Sequence, residues 1–212
     1  MVWSVPASFV DAKSPGQQRA WALDLPRRAG ELAARWGLRP DGPAWHGWVG
    51  VAWPARDRDD RPVVLKISWV EDGSQHEGRA LQLWDGRGMV RCFATDVEQA
   101  ACVIERLDAE RDLTREPIDD ACVAIGTILG QATQVPAPAW AAPVVTEALA
   151  SIAVIERRRS DVLPARCIDA ALETLHAVAD EPTVAHRLLP RDLHYLNVLH
   201  ALPGDERTWV GI

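Results

Sequence analysis

The chain has 212 residues, 48% of them hydrophobic and 25% charged, with a net charge of −7. That length suits one large domain or two small lobes, and no run approaches the roughly 20 apolar residues of a membrane-spanning helix. An acidic balance argues against a nucleic-acid binder, which ordinarily presents a basic face; it is compatible with a cationic ligand, but plain solubility is the favoured explanation of the charge.

Residues 17–36 are expected to form an amphipathic helix with Ala20, Leu23, Leu32 and Trp36 on its apolar side, broken or kinked at Pro26. Gly37 and the cluster at 40–43 (PDGP) end it. A glycine-interrupted strand over 45–55, a turn over 56–61 and a strand over 62–69 should make a hairpin. In the second strand Val63, Leu65, Ile67 and Trp69 share one face, and Val64, Lys66 and Ser68 the other. A helix over 75–84, closed by a turn at 85–88, precedes two further strands over 89–95 and 101–107. The expected product is a mostly antiparallel sheet with a helix packed on one face.

The charged stretch 108–116 looks like a connector. Three helices follow, marked by Ile118, Cys122, Ile125 and Leu129, then Val145, Leu149 and Ile152, then Ile168, Leu172, Leu175 and Val178. A Pro/Ala linker at 135–143 separates the first two, and the arginines at 157–159 read as a solvated helix end. Short strands over 197–199 and 208–212 close the chain. The four cysteines (Cys92, Cys102, Cys122, Cys167) show no metal or redox spacing, and the first residues lack a secretory pattern, so a reduced, cytoplasmic protein is expected.

Two groups of residues carry chemistry. Asp192 and Asn197 stand five positions apart in a loop leading into an apolar strand. Phosphoryl transfer needs a carboxylate to orient and deprotonate the attacking hydroxyl, and an amide oxygen to help hold magnesium on the phosphates. Such a pair can do both, although Asp and Asn are also ordinary turn residues. The second group is Lys66 with Glu77. The 23 basic residues are 21 arginines and only two lysines, Lys13 and Lys66, so a lysine kept inside an apolar strand asks for a reason. Ala80, Leu81 and Trp84 follow Glu77 at helical spacing, which sets Glu77 on or beside an inward face, where a carboxylate needs a cation. A lysine held by such a glutamate suits the α- and β-phosphates of ATP. A solvated strand lysine and a helix-edge glutamate remain the plain alternatives.

Together these pieces follow the order of a protein kinase-like fold. The chain resembles the aminoglycoside phosphotransferase superfamily, in the branch containing streptomycin 6-kinases and hydroxyurea phosphotransferases. The resemblance is carried by 45–52 (WHGWVGVA), 64–67 (VLKI), 77–88 (EGRALQLWDGRG), 103–107 (VIERL) and 192–199 (DLHYLNVL). It implies an α+β, two-lobed kinase-like fold: a nucleotide-binding lobe at 1–107 and a partial helical lobe at 108–212 with the catalytic loop. It further implies ATP and Mg2+ as cofactors and a small-molecule acceptor, an aminoglycoside or hydroxyurea, with no nucleic-acid or membrane partner. By the same resemblance Lys66 binds the ATP phosphates and Glu77 holds Lys66. The backbone of Glu105 to Leu107 meets the adenine, Asp192 is the catalytic base, and Asn197 is a metal ligand.

Two departures stand out. Pro190 and Arg191 occupy the place of the family's His-Gly, and the chain ends at Ile212, where relatives continue with a metal-binding Asp. The chain as written is therefore expected to transfer no phosphate at an appreciable rate. The alternative from another class is a non-catalytic kinase remnant that at most binds nucleotide. Trp45, Trp48 and Trp53 could cover a nucleotide or serve only as strand packing, and His194 and Tyr195 read as loop packing.

Overall fold

A computed structural model describes residues 2–70, 74–158, 163–181 and 186–212. They divide into two compact units, one built from Met1–Ala132 with Pro190–Ile212, the other from Thr133–Leu189. The first unit starts with helices α1 (Ala7–Asp11) and α2 (Gln17–Trp36), followed by strands β1 (Arg39–Pro40), β2 (Trp45–His46), β3 (Gly50–Arg56) and β4 (Pro62–Ser68). A 3-10 turn at Ser74–His76 leads into α3 (Glu77–Trp84), then come β5 (Cys92–Asp96), β6 (Ala101–Glu105), β7 (Asp108–Asp112) and α4 (Ile118–Ala132). The second unit holds α5 (Val144–Arg157) and α6 (Ala165–Asp180), in which Ala148, Ile152 and Ile168 are buried. Arg157 ends α5 and Arg158 is its cap, while Arg159 lies outside the described residues. The chain returns to the first unit with β8 (Val198–His200) and β9 (Trp209–Gly211).

The architecture is α+β, as expected. The main sheet runs β1-β3-β4-β6-β5, with β2 added on β3, and every pair in it is antiparallel. Its register puts Leu65 of β4 between Trp53 of β3 and Val103 of β6, so one face is an unbroken apolar surface. Against that face lie Ala22, Leu25, Ala29 and Leu32 of α2, all fully buried with Val63, Leu65 and Ile67. Small alanines bring the helix close to the sheet, which is why Ala22 and Ala29 are inside while the larger Leu23 is 63% exposed. Of the four positions expected on the apolar side, Leu32 is buried and Trp36 packs against the core, whereas Ala20 and Leu23 face out. Pro26 sits on the exposed side and the helix continues through it; the packing of the buried stripe outweighs the one hydrogen bond that proline removes.

Three further expectations are corrected. Helices cover both faces of the sheet, because α3 packs on β5 and β6 opposite to α2. The stretch taken for a connector is largely strand: β7 pairs with β8, which pairs with β9, in a second antiparallel sheet. In α4 the buried residues are Ala121, Ala124, Ile128 and Ala132, whereas Ile118 is 61% exposed. Here too the small residues face inward. Among the described residues no helix is long and apolar enough to cross a membrane.

The turn after α3 fixes how that helix meets α4. Trp84 donates its indole N–H to the Ala132 carbonyl at 3.1 Å. Gly88 has φ +74°, and a Cβ on it would lie 2.7 Å from the Ile128 carbonyl oxygen. Gly88→Ala should therefore cost about 3 kcal/mol, combining left-handed strain with overpacking against backbone, and lower the thermal midpoint by roughly 5–10 °C. Gly204→Ala, at φ +95° in open space, should show the strain alone and a smaller shift in the same calorimetric measurement.

Candidate active site

Lys66 sits midway along β4, paired with Ala52 on one side and Cys102 on the other. Its side chain leaves the sheet on the face away from α2, where α3 begins. There its ammonium meets Glu77 Oε1 at 2.5 Å. The pair is half-buried, with side chains 28% and 30% exposed. Burial works to lower the lysine's pKa, but the charge of Glu77, with smaller contributions from Cys102 and Asp192, prevails and holds it above its ordinary value. Lys66 is a fixed cation. Glu77 opens α3, so its carboxylate also enjoys the positive end of the helix dipole.

What lets Glu77 reach is the next residue. A Cβ on Gly78 would lie 2.7 Å from Thr95 Cβ and 3.0 Å from Cys102 Cβ. Only a residue without a side chain lets the first turn of α3 settle this close to β5 and β6. Gly78 is thus a positioning residue that the sequence reading overlooked; a glycine directly after the key glutamate, in a helix, was the available signal.

The Asp192 loop is built by its own hydrogen bonds. Asn197 donates its amide N–H groups to the Asp192 carbonyl at 2.8 Å and to Asp192 Oδ2 at 3.2 Å. His194 Nδ1 accepts from the Leu196 backbone N–H at 3.2 Å, capping the 3-10 turn Tyr195–Asn197. In the neutral ring this leaves the proton on Nε2, which faces Asp192 Oδ1 at 3.5 Å. His194, read from sequence as packing, therefore braces the turn and stands beside the carboxylate. Leu193 lies over Gly211 beside Met89, and the Ile212 N–H donates to the Asn197 carbonyl at 2.9 Å, which ties the loop to β9. The Asp192 side chain is 80% exposed. Lys66 and the Asp192 loop belong to one compact unit, close enough for the Asp192 charge to act on the lysine.

Glu105 ends β6, and its carboxylate is fully engaged. It accepts from the Arg91 backbone N–H at 2.9 Å and guanidinium at 3.0 Å, and from two Arg207 nitrogens at 2.9 and 2.7 Å. Arg207 also holds Asp205 at 2.6 Å. This cluster ties the end of β6 to the β8–β9 hairpin, and no local pattern announces it, since Arg207 is 102 residues from Glu105. The Leu107 side chain is 7% exposed, while Arg106 and Leu107 belong to neither β6 nor β7. Trp53 is a core residue, 1% exposed, with its indole donating to the Ser4 carbonyl at 2.7 Å. Trp45 is 39% and Trp48 83% exposed, and Lys13 donates to the Trp48 carbonyl.

The strand lysine clamped by a helix glutamate and the Asp/Asn loop thus fall in one compact unit, in the order expected from the sequence. Residues 35–212 match the family of aminoglycoside/hydroxyurea antibiotic resistance kinases, and the chain belongs to it. It is 33% identical to a hydroxyurea phosphotransferase of Kitasatospora aureofaciens, an alignment covering 100% of this chain and 63% of that protein. It is 29% identical to streptomycin 6-kinases of Streptomyces glaucescens and Streptomyces griseus, covering 67% and 66% of their lengths. The chain thus spans about two thirds of the curated relatives it matches.

Gly78→Ala is expected to lift α3 and loosen the Lys66–Glu77 pair. Because the chain has only two lysines, acylation of Lys66 relative to Lys13, read by mass spectrometry, should rise several-fold. An unchanged ratio would refute the positioning role. The second expectation concerns acid. Arg207, hydrogen-bonded to Asp205, holds that carboxyl well below the usual range despite partial burial. A depressed folded pKa adds stability above the unfolded value of about 3.9 and loses it as pH falls further. Denaturant midpoints should therefore drop between about pH 4 and pH 2, and Asp205→Asn should flatten that drop.

Proposed function

We propose that this chain acts in ATP-dependent phosphoryl transfer to a hydroxyl of a small molecule, an aminoglycoside such as streptomycin or hydroxyurea. The observation that carries this reading is the Lys66–Glu77 pair at 2.5 Å with the Asp192 carboxylate acting on the same ammonium. In this reading residues 1–107 bind the nucleotide and residues 108–212 bring the catalytic loop. Lys66 grips the α- and β-phosphates, and the main chain of Glu105 to Leu107 borders the adenine while the Glu105 side chain stays with its arginines. The names of two relatives put streptomycin, a cationic acceptor, beside the hydroxyurea of the third.

Asp192 orients the acceptor hydroxyl and takes its proton as the acceptor oxygen bonds to the γ-phosphorus and the bond to ADP breaks. His194 Nε2–H stands beside the carboxylate. Magnesium fits the donors present. The Asn197 amide gives its N–H groups to Asp192, so its oxygen is the donor that this side chain would offer to the metal. Among the described residues no set of three His, Cys, Asp or Glu could hold a metal alone; magnesium at such sites takes one or two side chains and completes its shell with phosphate and water. When bound, it would neutralise the phosphate charge.

Nucleotide binding and transfer are tested separately. Titration calorimetry with Mg·ATP should show binding that Lys66→Ala weakens at least about tenfold, the size of one lost charge-assisted contact. Labelled phosphate from ATP should then appear on streptomycin or hydroxyurea in a panel, and Asp192→Asn should lower its rate about a hundredfold or more. Binding without transfer would leave a nucleotide-binding family member that does not phosphorylate. Absence of Lys66-dependent nucleotide binding would end the kinase reading.

A further inference from the structure

Beneath α3 lies a pair of reactive side chains that the phosphotransferase reading does not use. Cys102 of β6 is the ladder partner of Lys66 and of Thr95, and Cys92 of β5 is the partner of Ile104. Residues opposite one another in a ladder share a face, and so do residues two apart along a strand. Cys92 and Cys102 therefore stand diagonally on the Lys66 face. The Cys92 thiol donates to the Ala94 carbonyl at 3.2 Å, and the two thiols lie near enough to act on each other's ionisation. Cys102 is buried and Cys92 partly exposed. We propose that Cys92 and Cys102 form a two-electron redox site, a dithiol that an oxidant of the peroxide class closes to an intramolecular disulfide.

Three features suit the pair to this. The first is freedom to close. A regular diagonal separates Cα atoms by about 7–8 Å, and a disulfide accepts up to about 6.8 Å. β5 is the edge strand, bonded only to β6, and its register shifts between Cys92 and Ala94, so the strand can move the remaining distance. The second is an attacking group. The neighbouring Cys102 thiol favours the Cys92 thiolate against the burial that opposes it, while Cys92, burial and Glu77 push the Cys102 thiol well above its ordinary range. The third is access, because only Cys92 meets solvent.

The Cys92 thiolate attacks one peroxide oxygen; the S–O bond forms, the O–O bond breaks, and the departing hydroxide becomes water with the proton that the Cys92 thiol released on ionising. The Cys102 sulfur then attacks the Cys92 sulfenic sulfur, the S–S bond forms, and the hydroxyl leaves as water with the Cys102 proton. Two thiols lose two electrons and the peroxide becomes two waters.

The test uses the whole chain with the exposed Cys122 and Cys167 replaced by serine, beside the unsubstituted chain. After hydrogen peroxide, alkylable thiols in the double variant should fall from two to none and return with dithiothreitol. Trypsin releases residues 92–106 as one peptide. It should lose two hydrogens, and its halves should stay joined after cleavage at Glu98, in both chains. Adding Cys102→Ser should leave a Cys92 sulfenic acid that dimedone traps. Persisting thiols, over-oxidation of Cys92 without a cross-link, or cross-links only between chains would each overturn the proposal. None of these readouts depends on nucleotide or acceptor.

Discussion

The ammonium of Lys66, held in a half-buried position between a sheet and a helix, sets the terms for the structure around it. A lysine there is tolerable only with a carboxylate in contact, and that carboxylate arrives on a different element, α3. The first turn of α3 must therefore lie almost on the backbone of β5 and β6, which Gly78 allows. The far end of the helix must then be held against α4, which the Trp84 indole and the tight approach of Gly88 accomplish. One ion pair thus reaches outward through helix, turn and second helix.

The opposite face of the sheet answers a simpler demand. β4 is central and buried on both sides, so its alternate residues need two covers. α2 provides one with a stripe of alanines and leucines, which brings helix and sheet close and leaves no polar group stranded. With that face filled by apolar packing, the Lys66 face is free to carry the charge, the thiols and the short helix. The two faces of one strand are in this sense a division between stability and chemistry.

A second tie closes the unit over a long sequence distance. The β8–β9 hairpin carries the Asp192 loop at one end and, near its turn, Asp205 and Arg207, of which Arg207 grips both Asp205 and the Glu105 carboxylate at the end of β6. The carboxylate proposed to act in transfer and the segment proposed to border the adenine are therefore mounted on the same hairpin. Such a clamp among half-buried charges stabilises less than apolar packing of the same size, but it specifies which segments meet. It also places the acid-sensitive Asp205 carboxyl at this point.

Much of this was legible in the residues. The order of strands and helices, the β3–β4 hairpin, the odd lysine, the glutamate eleven positions later and the Asp/Asn loop follow from local periodicity, turn chemistry and the rarity of lysine in this chain, each a property of a few neighbouring residues. What sequence alone could not reach has a common cause. Periodicity ranks faces by side-chain size, yet α2 turns Leu23 outward and α4 turns Ile118 outward while alanines go inside, because close approach between elements is decided by the partner surface. The strand at 108–112 reads as a charged connector because its pairing partner lies some ninety residues away. The Glu105–Arg207 clamp, the space that Gly78 must leave empty and the meeting of Cys92 with Cys102 all depend on which distant backbones come to lie side by side. Local patterns decide what each segment can become; only tertiary packing decides what it touches.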